Sequence, residues 1–351
     1  MHLGLTELFD FLTRHESEAG LVLAIVSGTE GSTYRKPGAM MLIAPNGEYA
    51  GMISGGCLEG DLVTHAERVM LTGVPETLRY DLADEEGSMF GLGLGCGGSV
   101  DLLLQRIEKR TGFSFLPALI DALAQRRTCC LALVTQGETL SLGDHALWDG
   151  SRCVSGDERL IEAFPEALKP WTAPSRWRHV GLGRDGGEDR ALLVCIEPQP
   201  RVLICGAGPD ALPLVDQVIA LGWDCVVVDH RPAYANPARI PGPCRVILAR
   251  PEELTEHVSL DSLSGAVVMS HNLEHDAGYL RQLSTHPPAY IGLLGPRHRR
   301  EELLRSLGND QLNVHGPAGL PIGAEMPEAI ALSIMAEMFQ VLARSDSRDD
   351  S

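Results

Sequence analysis

"RVLICGAGPDALPLVDQVIALGWDCVVVDH", residues 201–230, sets the architecture of the second half of this chain. An apolar run leads into a glycine-rich turn, then a helix-like run, then a second apolar run that ends in an acid. The turn fits G-x-G-x-x-G/A, and Asp229 follows at the spacing of a dinucleotide-binding unit. Together these features predict a Rossmann-like βαβ unit, with Gly206 and Gly208 beside a phosphate and Asp229 beside a ribose.

The residues after this unit continue the alternation of strand and helix. Further strand-like runs lie at 245–249, 265–270 and 290–295, and helix-like runs at 275–284 and 299–307. This predicts a doubly wound parallel sheet with its ligand beyond the carboxyl ends of the strands. His271 and Arg297 follow two of those strands and are candidate cofactor-binding residues. Arg297 has an equally simple alternative as a solvated residue that pairs with Glu301 or Glu302.

A proline-bearing break, "EPQP" at 197–200, separates this half from the first. Because 351 residues exceed one typical core, we expect two domains, 1–198 and 199–351. The first half begins with an amphipathic helix and a continuous apolar strand, and a hairpin follows. The predicted class is therefore α/β, with an N-terminal α/β accessory domain followed by a C-terminal Rossmann-like doubly wound parallel sheet.

Two cysteines stand among glycines, in the stretches "GMISGGCLEGDL" (51–62) and "GLGLGCGG" (91–98). Cys57 directly precedes a helix-like run, where the helix dipole would stabilise its thiolate and make it nucleophilic and metal-binding. Gly55 and Gly56 leave space for a bulky ligand, and the glycines around Cys96 suggest a similar close approach. The alternative is that both cysteines fill tight turns, because free cysteine is often buried.

Composition limits the partners. A net charge of -18 and a pI near 5.0 argue against a nucleic-acid or anionic-membrane surface. Nine cysteines without a C-x-x-C pair fit neither a disulfide framework nor a zinc ribbon, and they indicate reduced thiols. We expect a cytoplasmic protein without a signal peptide or a membrane span.

Motifs along nearly the whole chain resemble those of the xanthine dehydrogenase accessory family, also called XdhC/CoxI. In the first half they are "GTEGSTYRKPGAMMLI", "GMISGGCLEGDL" and "GLGCGG". In the second half they are "VLICGAG", "VVVDHR", "MSHNLEHD", "YIGLLGPRHRR" and "GLPIGAEMPEAIALSI". The resemblance implies an accessory domain followed by a Rossmann domain, in agreement with the boundary above.

The resemblance also implies a function. Members bind molybdenum cofactor, a pterin dithiolene that carries a phosphate or a dinucleotide. They help it acquire its terminal sulfur from a cysteine desulfurase and deliver it to an apo molybdenum hydroxylase of the xanthine or aldehyde dehydrogenase type. This chain would then be a cofactor-loading chaperone rather than an enzyme with turnover.

Site residues follow from the resemblance position by position. Cys57 and Cys96 match the cysteines that contact the cofactor or its sulfur, with Cys57 a candidate molybdenum ligand because thiolates are soft. Arg35 and Gly38 match the R-x-x-G loop. The glycine turn and the acid of the second half match the nucleotide fingerprint. Pro209 and Asp210 depart from the His-Val found in many members.

Two other functions fit parts of the sequence. The Rossmann half would suit an NAD(P)-dependent oxidoreductase, although no acid/base pair beside the nicotinamide position is evident in the sequence. An interaction scaffold with an empty second domain is the other alternative. The apolar last helix is a candidate homodimer face.

Overall fold

The computed structural model describes residues 5–81, 97–156, 160, 162, 176–181, 189–240, 242–308 and 311–346. The chain forms two compact units, Met1–Pro198 and Gln199–Ser351. Each unit buries its own clusters of apolar side chains. Cys96 lies outside the described residues.

The first unit is built from two antiparallel sheets. Its helices are α1 Leu5–Arg14, α2 Glu59–Thr72 and α3 Leu116–Ala124. Its strands are β1 Gly20–Gly31, β2 Met40–Ile43, β3 Tyr49–Gly51, β4 Glu76–Asp81, β5 Gly98–Glu108, β6 Cys129–Gln136, β7 His145–Trp148, β8 Cys153–Gly156, β9 Trp177–Gly181 and β10 Arg190–Ile196. Sheet A has the order β3-β2-β1-β5-β4, and sheet B has the order β8-β7-β6-β10-β9.

Three strands of sheet B lie in the part of the chain whose sequence pattern is weakest. β7, β8 and β9 are four or five residues long, which is too short for a period of two to stand out. They become strands because long apolar neighbours offer hydrogen-bonding edges: β7 pairs with β6, and β9 pairs with β10.

The second unit contains one parallel sheet, sheet C. Its strands are β11 Arg201–Cys205, β12 Asp224–Asp229, β13 Cys244–Leu248, β14 Gly265–Val268 and β15 Tyr290–Leu293, in the order β13-β12-β11-β14-β15. Its helices are α4 Leu212–Ala220, α5 Leu254–His257, α6 Leu273–Leu283, α7 Arg297–Leu307 and α8 Pro327–Asp346. The mixed α/β class and the Rossmann-like parallel sheet confirm the prediction.

The central strand β11 explains why its sequence is apolar throughout. Leu203 and Cys205 belong to one buried cluster, while Val202 and Ile204 belong to another. Successive side chains of a strand point to opposite faces, so a strand covered on both faces needs apolar residues at every position.

The cysteines of the described residues are free thiols, and Cys195, Cys205 and Cys225 are buried in their strands, as expected for small core residues. None of the described helices combines the length and apolar composition that a bilayer crossing requires.

A buried carboxylate connects three elements of the second unit. Asp276 on α6 is fully buried and accepts hydrogen bonds from the backbone and the hydroxyl of Ser270, just after β14. Its second oxygen lies 2.7 Å from Nη2 of Arg299 on α7. This carboxylate therefore holds the segment that carries His271 against both helices.

We expect Asp276→Ala to lower the free energy of unfolding by about 3–5 kcal/mol, because it leaves Arg299 without its buried partner. Glu301→Ala is the matched control, since its pair with Arg297 is exposed and its loss should cost at most about 0.5 kcal/mol. Urea unfolding of both variants measures the difference. Equal losses would contradict a structural role for Asp276.

Candidate functional site

Three glycine-bearing segments of the first unit lie beside one another near the end of β1. Gly31 pairs with Gly98 across β1 and β5. A Cβ on Gly31 would lie 2.7 Å from the carbonyl oxygen of Gly97. The ring of Tyr34, in the loop after β1, lies 3.6 Å from the Cβ position of Gly55. The loops 32–39 and 52–58 and the start of β5 therefore form one continuous surface.

The loop that carries Cys57 is held by the carboxylate of Glu59. Glu59 is 2% exposed, and its Oε1 accepts hydrogen bonds from the amides of Ile53 at 3.0 Å and Ser54 at 2.9 Å. Its Oε2 accepts from the Ser54 hydroxyl at 2.6 Å and from the amide of Gly56 at 2.9 Å. The loop therefore has a fixed path, with Cys57 exposed.

The same contacts show what surrounds Cys57 just before α2. The sequence predicts that the start of α2 stabilises the Cys57 thiolate. In the structure, the two amides just before α2 are engaged: Leu58 donates to Glu59 and to Ser54 Oγ, and Cys57 donates to Ser54 Oγ. Glu59 and Ser54 thus fix the backbone just before α2, and Cys57 is exposed on that fixed loop.

Burial alone would raise the pKa of the Glu59 carboxyl, but hydrogen bonds from Ser54 and the amide of Ile53 outweigh it and lower the pKa below its usual value. The carboxylate is thus charged at neutral pH. A carboxylate that is both buried and charged is a strong constraint on the loop, because every donor left unpaired would be costly.

The two residues that match the R-x-x-G loop, Arg35 and Gly38, lie in different surroundings. Arg35 is half-buried, and burial lowers the pKa of its guanidinium while the nearby Tyr34 raises it. Gly38 is buried with φ +92°, and a Cβ there would lie 2.6 Å from Cγ1 of Val194. Packing alone therefore accounts for a glycine at this position.

Gly55 and Gly56 are exposed, with φ of +84° and +110°. A Cβ on Gly56 would meet nothing within 4 Å. The backbone conformation requires glycine here, and the space beside Cys57 is open. Cys96 precedes Gly97, which lies beside Gly31, but the cysteine itself falls outside the described residues.

In the second unit, the glycine turn follows β11 as predicted. Gly206 has φ +119°, and a Cβ there would lie 2.5 Å from the carbonyl oxygen of Met269. A short 3-10 turn, Pro209–Ala211, precedes α4. Pro209 supplies no amide hydrogen to this turn, so one donor of the usual phosphate cradle is missing.

Asp229 ends β12 but is engaged within the protein. Its carboxylate is 1% exposed and accepts from the amide of Ala207 at 2.8 Å and from Arg231 through the backbone and the guanidinium. Burial opposes the charge, but these hydrogen bonds dominate and lower the pKa of Asp229 to about 2. In this arrangement Asp229 positions the glycine turn, and a ribose would have to displace Arg231.

A pair that the sequence analysis did not predict lies over the same turn. His271 Nε2 is 2.7 Å from Oδ2 of Asp210, and His271 has φ +59°. Oδ1 of Asp210 lies 2.6 Å from the Cβ position of Gly208. The position beside the glycine turn, where a phosphate was expected, therefore carries a carboxylate. The departure at Asp210 was the sequence signal for this difference.

Arg297 is 74% exposed and pairs with Glu301 one turn along α7, at 2.9 Å. In the structure, Arg297 is therefore a solvated residue paired with Glu301, as the simpler interpretation of the sequence predicts. Among the described residues, no group of three or more His, Cys, Asp or Glu side chains is placed to hold a metal ion.

Comparison with known proteins places the chain in a family. A sequence profile described as "XdhC and CoxI family" matches residues 15–81, and one described as "XdhC Rossmann domain" matches residues 202–338. A Bacillus subtilis (strain 168) protein, named as a probable xanthine dehydrogenase subunit, is 31% identical over 349 residues, covering 96% of this chain and 97% of the relative. The chain belongs to the XdhC/CoxI family, as its motifs indicate.

Two further relatives span most of the chain. The "Molybdenum cofactor insertion chaperone PaoD" of Escherichia coli (strain K12) is 25% identical over 342 residues, covering 95% of this chain and 87% of that protein. A crystal structure from Bacillus halodurans, described as a xanthine dehydrogenase, has a TM-score of 0.81 and 28% identity, covering 100% of this chain and 98% of that one.

We expect Glu59→Gln to lower the free energy of unfolding at pH 7 by about 1–3 kcal/mol, because an amide nitrogen would face backbone donors. The folded pKa of Glu59 lies below the unfolded one, so its contribution is complete above the unfolded pKa and disappears as pH falls through the folded pKa. The difference between wild type and variant should therefore shrink on acidification. Urea unfolding from neutral to acidic pH measures it, with exposed Glu67→Gln on α2 as the control. A constant difference would contradict the assignment.

Asp210→Asn should raise the affinity of the second unit for a phosphate-bearing probe, ADP, by about fivefold, because it removes a repulsion of about 1 kcal/mol. Calorimetric titration of the full chain measures this affinity. Asp216→Asn, an exposed acid on α4, is the matched control. Unchanged or weaker ADP binding in Asp210→Asn would show that the carboxylate does not face the phosphate position.

Proposed function

We propose that this chain is an accessory chaperone that binds molybdenum cofactor, holds it while a cysteine desulfurase supplies the terminal sulfur, and delivers it to an apo molybdenum hydroxylase of the xanthine dehydrogenase type. The observation that carries the proposal is an exposed thiol, Cys57, on a loop fixed by a buried carboxylate. End-to-end similarity to a protein named as a molybdenum cofactor insertion chaperone supports it.

The chemistry of the loop suits this cargo. A thiolate is a soft ligand of the kind that a sulfur-rich metal centre accepts. The open space beside Gly56 admits a bulky group. Arg35 is a half-buried cation in the neighbouring loop and would attract an anionic oxygen of the cofactor. We assign the second sulfur contact to Cys96, on the basis of the motif it shares with the family.

The second unit would hold the phosphate or nucleotide part of the cofactor, with Gly206 and Gly208 at the turn and His271 at its rim. NAD(P) is the alternative ligand of this unit. The internal bonding of Asp229 and the carboxylate of Asp210 both weigh against an ordinary nicotinamide dinucleotide. Consumption of NADH by the purified protein would favour that alternative.

The partners would be the desulfurase, the apo hydroxylase and a second copy of the chain. α8 exposes Leu332 and Phe339 at 55% and 48%, seven residues apart and so on one side of the helix. Met326, just before the helix, is 66% exposed. This apolar surface is the candidate dimer face.

Cys57→Ser is expected to reduce the molybdenum and pterin that copurify with the protein at least tenfold, because oxygen replaces the soft ligand without changing the side-chain size. The variant is purified anaerobically after co-expression with an active pterin pathway, and metal analysis and oxidised-pterin fluorescence are read together. Cys153→Ser is the matched control, a partly exposed free thiol in β8. Wild-type loading by Cys57→Ser would remove the thiol from the mechanism.

A further inference from the structure

The first unit contains a polar cavity of about 680 Å³. Strands of both sheets line it: β1, β4 and β5 from sheet A, and β6, β9 and β10 from sheet B. It is large enough for a bicyclic ring with a substituent, because small-molecule sites commonly have a volume of about 300–1,000 Å³. Cys57 is not among the described residues that line this cavity.

An irregularity in β1 shapes one wall. The register between β1 and β5 shifts between Val26 and Gly28, which places an extra residue in β1. A Cβ on Gly28 would lie 3.0 Å from Oδ2 of Asp101, so the glycine allows the carboxylate to lie against the strand. Ser27 at the bulge is 6% exposed and also lines the cavity. Bulges commonly re-aim side chains beside binding sites.

Asp101 is the acceptor of this wall. Its side chain is 35% exposed, and Nη1 of Arg79 lies 3.3 Å from each of its oxygens. Nη2 of Arg79 contacts Glu30 at 2.7 Å, so the guanidinium is anchored at both ends. A carboxylate offers about four lone-pair positions. Asp101 therefore keeps acceptor capacity for a ligand while Arg79 fixes its orientation.

The residues that sheet B contributes to the lining are aromatic and cationic, with Arg190 as the cation. Trp177 and His179 of β9 meet edge to face with their centroids 5.7 Å apart. Burial, together with the charge of Arg190, lowers the pKa of His179, so the imidazole is neutral at neutral pH. An aromatic ring and a carboxylate lining the same cavity suit a planar heterocycle that stacks with its ring and donates from its edge.

We propose that this cavity binds the 2-amino-4-oxopyrimidine ring that pterins and guanine share. That ring presents two adjacent N–H donors, on N3 and on the 2-amino group, which match a carboxylate bidentately as a guanidinium does. Asp101 accepts both donors, and Trp177 stacks on the ring. The side chain of Arg190 contacts the carbonyl edge or a phosphate of the same ligand.

The position of Asp101 along β5 relates the cavity to the glycine-bearing segments of the first unit. This step rests on the proposed function. Asp101 lies three residues along β5 from Gly98, a distance of about 10 Å. Gly98 pairs with Gly31, next to the loop that carries Tyr34 and Arg35. A pterin bound through Asp101 can therefore point its far end toward the glycine-bearing segments. The cavity holds the pterin end of the cargo, and the loops hold its metal end.

The test is a fluorescence titration of the full-length protein with 6-hydroxymethylpterin, GMP and CMP. We expect saturable binding of 6-hydroxymethylpterin or GMP and at least tenfold weaker binding of CMP, whose ring lacks the donor pair. Tighter binding of the pterin assigns the cavity to the pterin end of the cargo, and tighter binding of GMP assigns it to the guanine of a dinucleotide. Failure of both to bind, or equal binding of CMP, overturns the proposal.

Two substitutions locate the binding. Asp101→Asn should weaken the preferred probe at least tenfold, while Asp121→Asn, a 69% exposed acid on α3, should leave it unchanged. Trp177→Leu should weaken it about tenfold, and Trp177→Phe should restore most of the affinity because an aromatic face remains. These tryptophan variants keep the proposal testable if Asp101→Asn unfolds. Unchanged affinity in folded Asp101→Asn or in Trp177→Leu overturns the assignment.

Molybdenum loading separates this inference from the proposed function. Loss of loading in Cys57→Ser with full loading and full probe affinity in Asp101→Asn would overturn the cavity assignment and leave the chaperone function standing. Saturable, Asp101-dependent binding of the probe in a protein that never retains molybdenum would support the cavity and remove the chaperone function.

Discussion

The hydrogen bonds made by one buried carboxylate, Glu59, hold the candidate site together. The loop after β3 contains two glycines with positive φ, and by itself it would sample many conformations. Glu59 accepts hydrogen bonds from the amides of Ile53, Ser54 and Gly56. It also fixes the Ser54 hydroxyl, which accepts a hydrogen bond from the amide of Cys57. A charge taken out of water is stable only with such partners, so loop order and carboxylate burial require each other. The result is an exposed thiol on a rigid backbone.

In the second unit, charged side chains and hydrogen bonds also fix a glycine-bearing loop, but here they oppose the binding of an anion. Its glycine turn keeps the close backbone approach of a phosphate cradle, because Gly206 lies too near Met269 for any side chain, but Pro209 removes one donor. The charges around the turn differ from those of an ordinary phosphate cradle. Asp210 lies beside Gly208, and the carboxylate of Asp229 accepts hydrogen bonds from Arg231. A turn of this kind still admits an anion, but at a higher electrostatic cost than an unmodified cradle. Family membership and backbone geometry therefore do not fix the ligand of this unit.

Most secondary structure could be predicted because its signals are local. β11 and β12 are continuous apolar runs, α2 has helical apolar spacing and ends at Gly73, and the hairpin turns at Gly47. The strands β7, β8 and β9 could not, because they are short and exist through pairing with longer neighbours. Among the candidate site residues, glycine and helix-start patterns predict Cys57, Gly55 and Gly56, and the role of these residues stays a prediction. Glu59 could not be predicted as a site residue, since nothing local distinguishes a buried carboxylate from a solvated one.

The α/β class, the parallel sheet of the second unit and the motifs of the XdhC/CoxI family can all be read from the amino-acid sequence, because chain periodicity and short glycine patterns carry that information. Which groups face one another depends on the folded chain. Asp101 meets Gly28 through a strand bulge, His271 meets Asp210 across two loops, and Trp177 joins the same cavity from the second sheet. Such contacts link residues dozens of positions apart, and their energies depend on burial and distance, which no stretch of sequence contains.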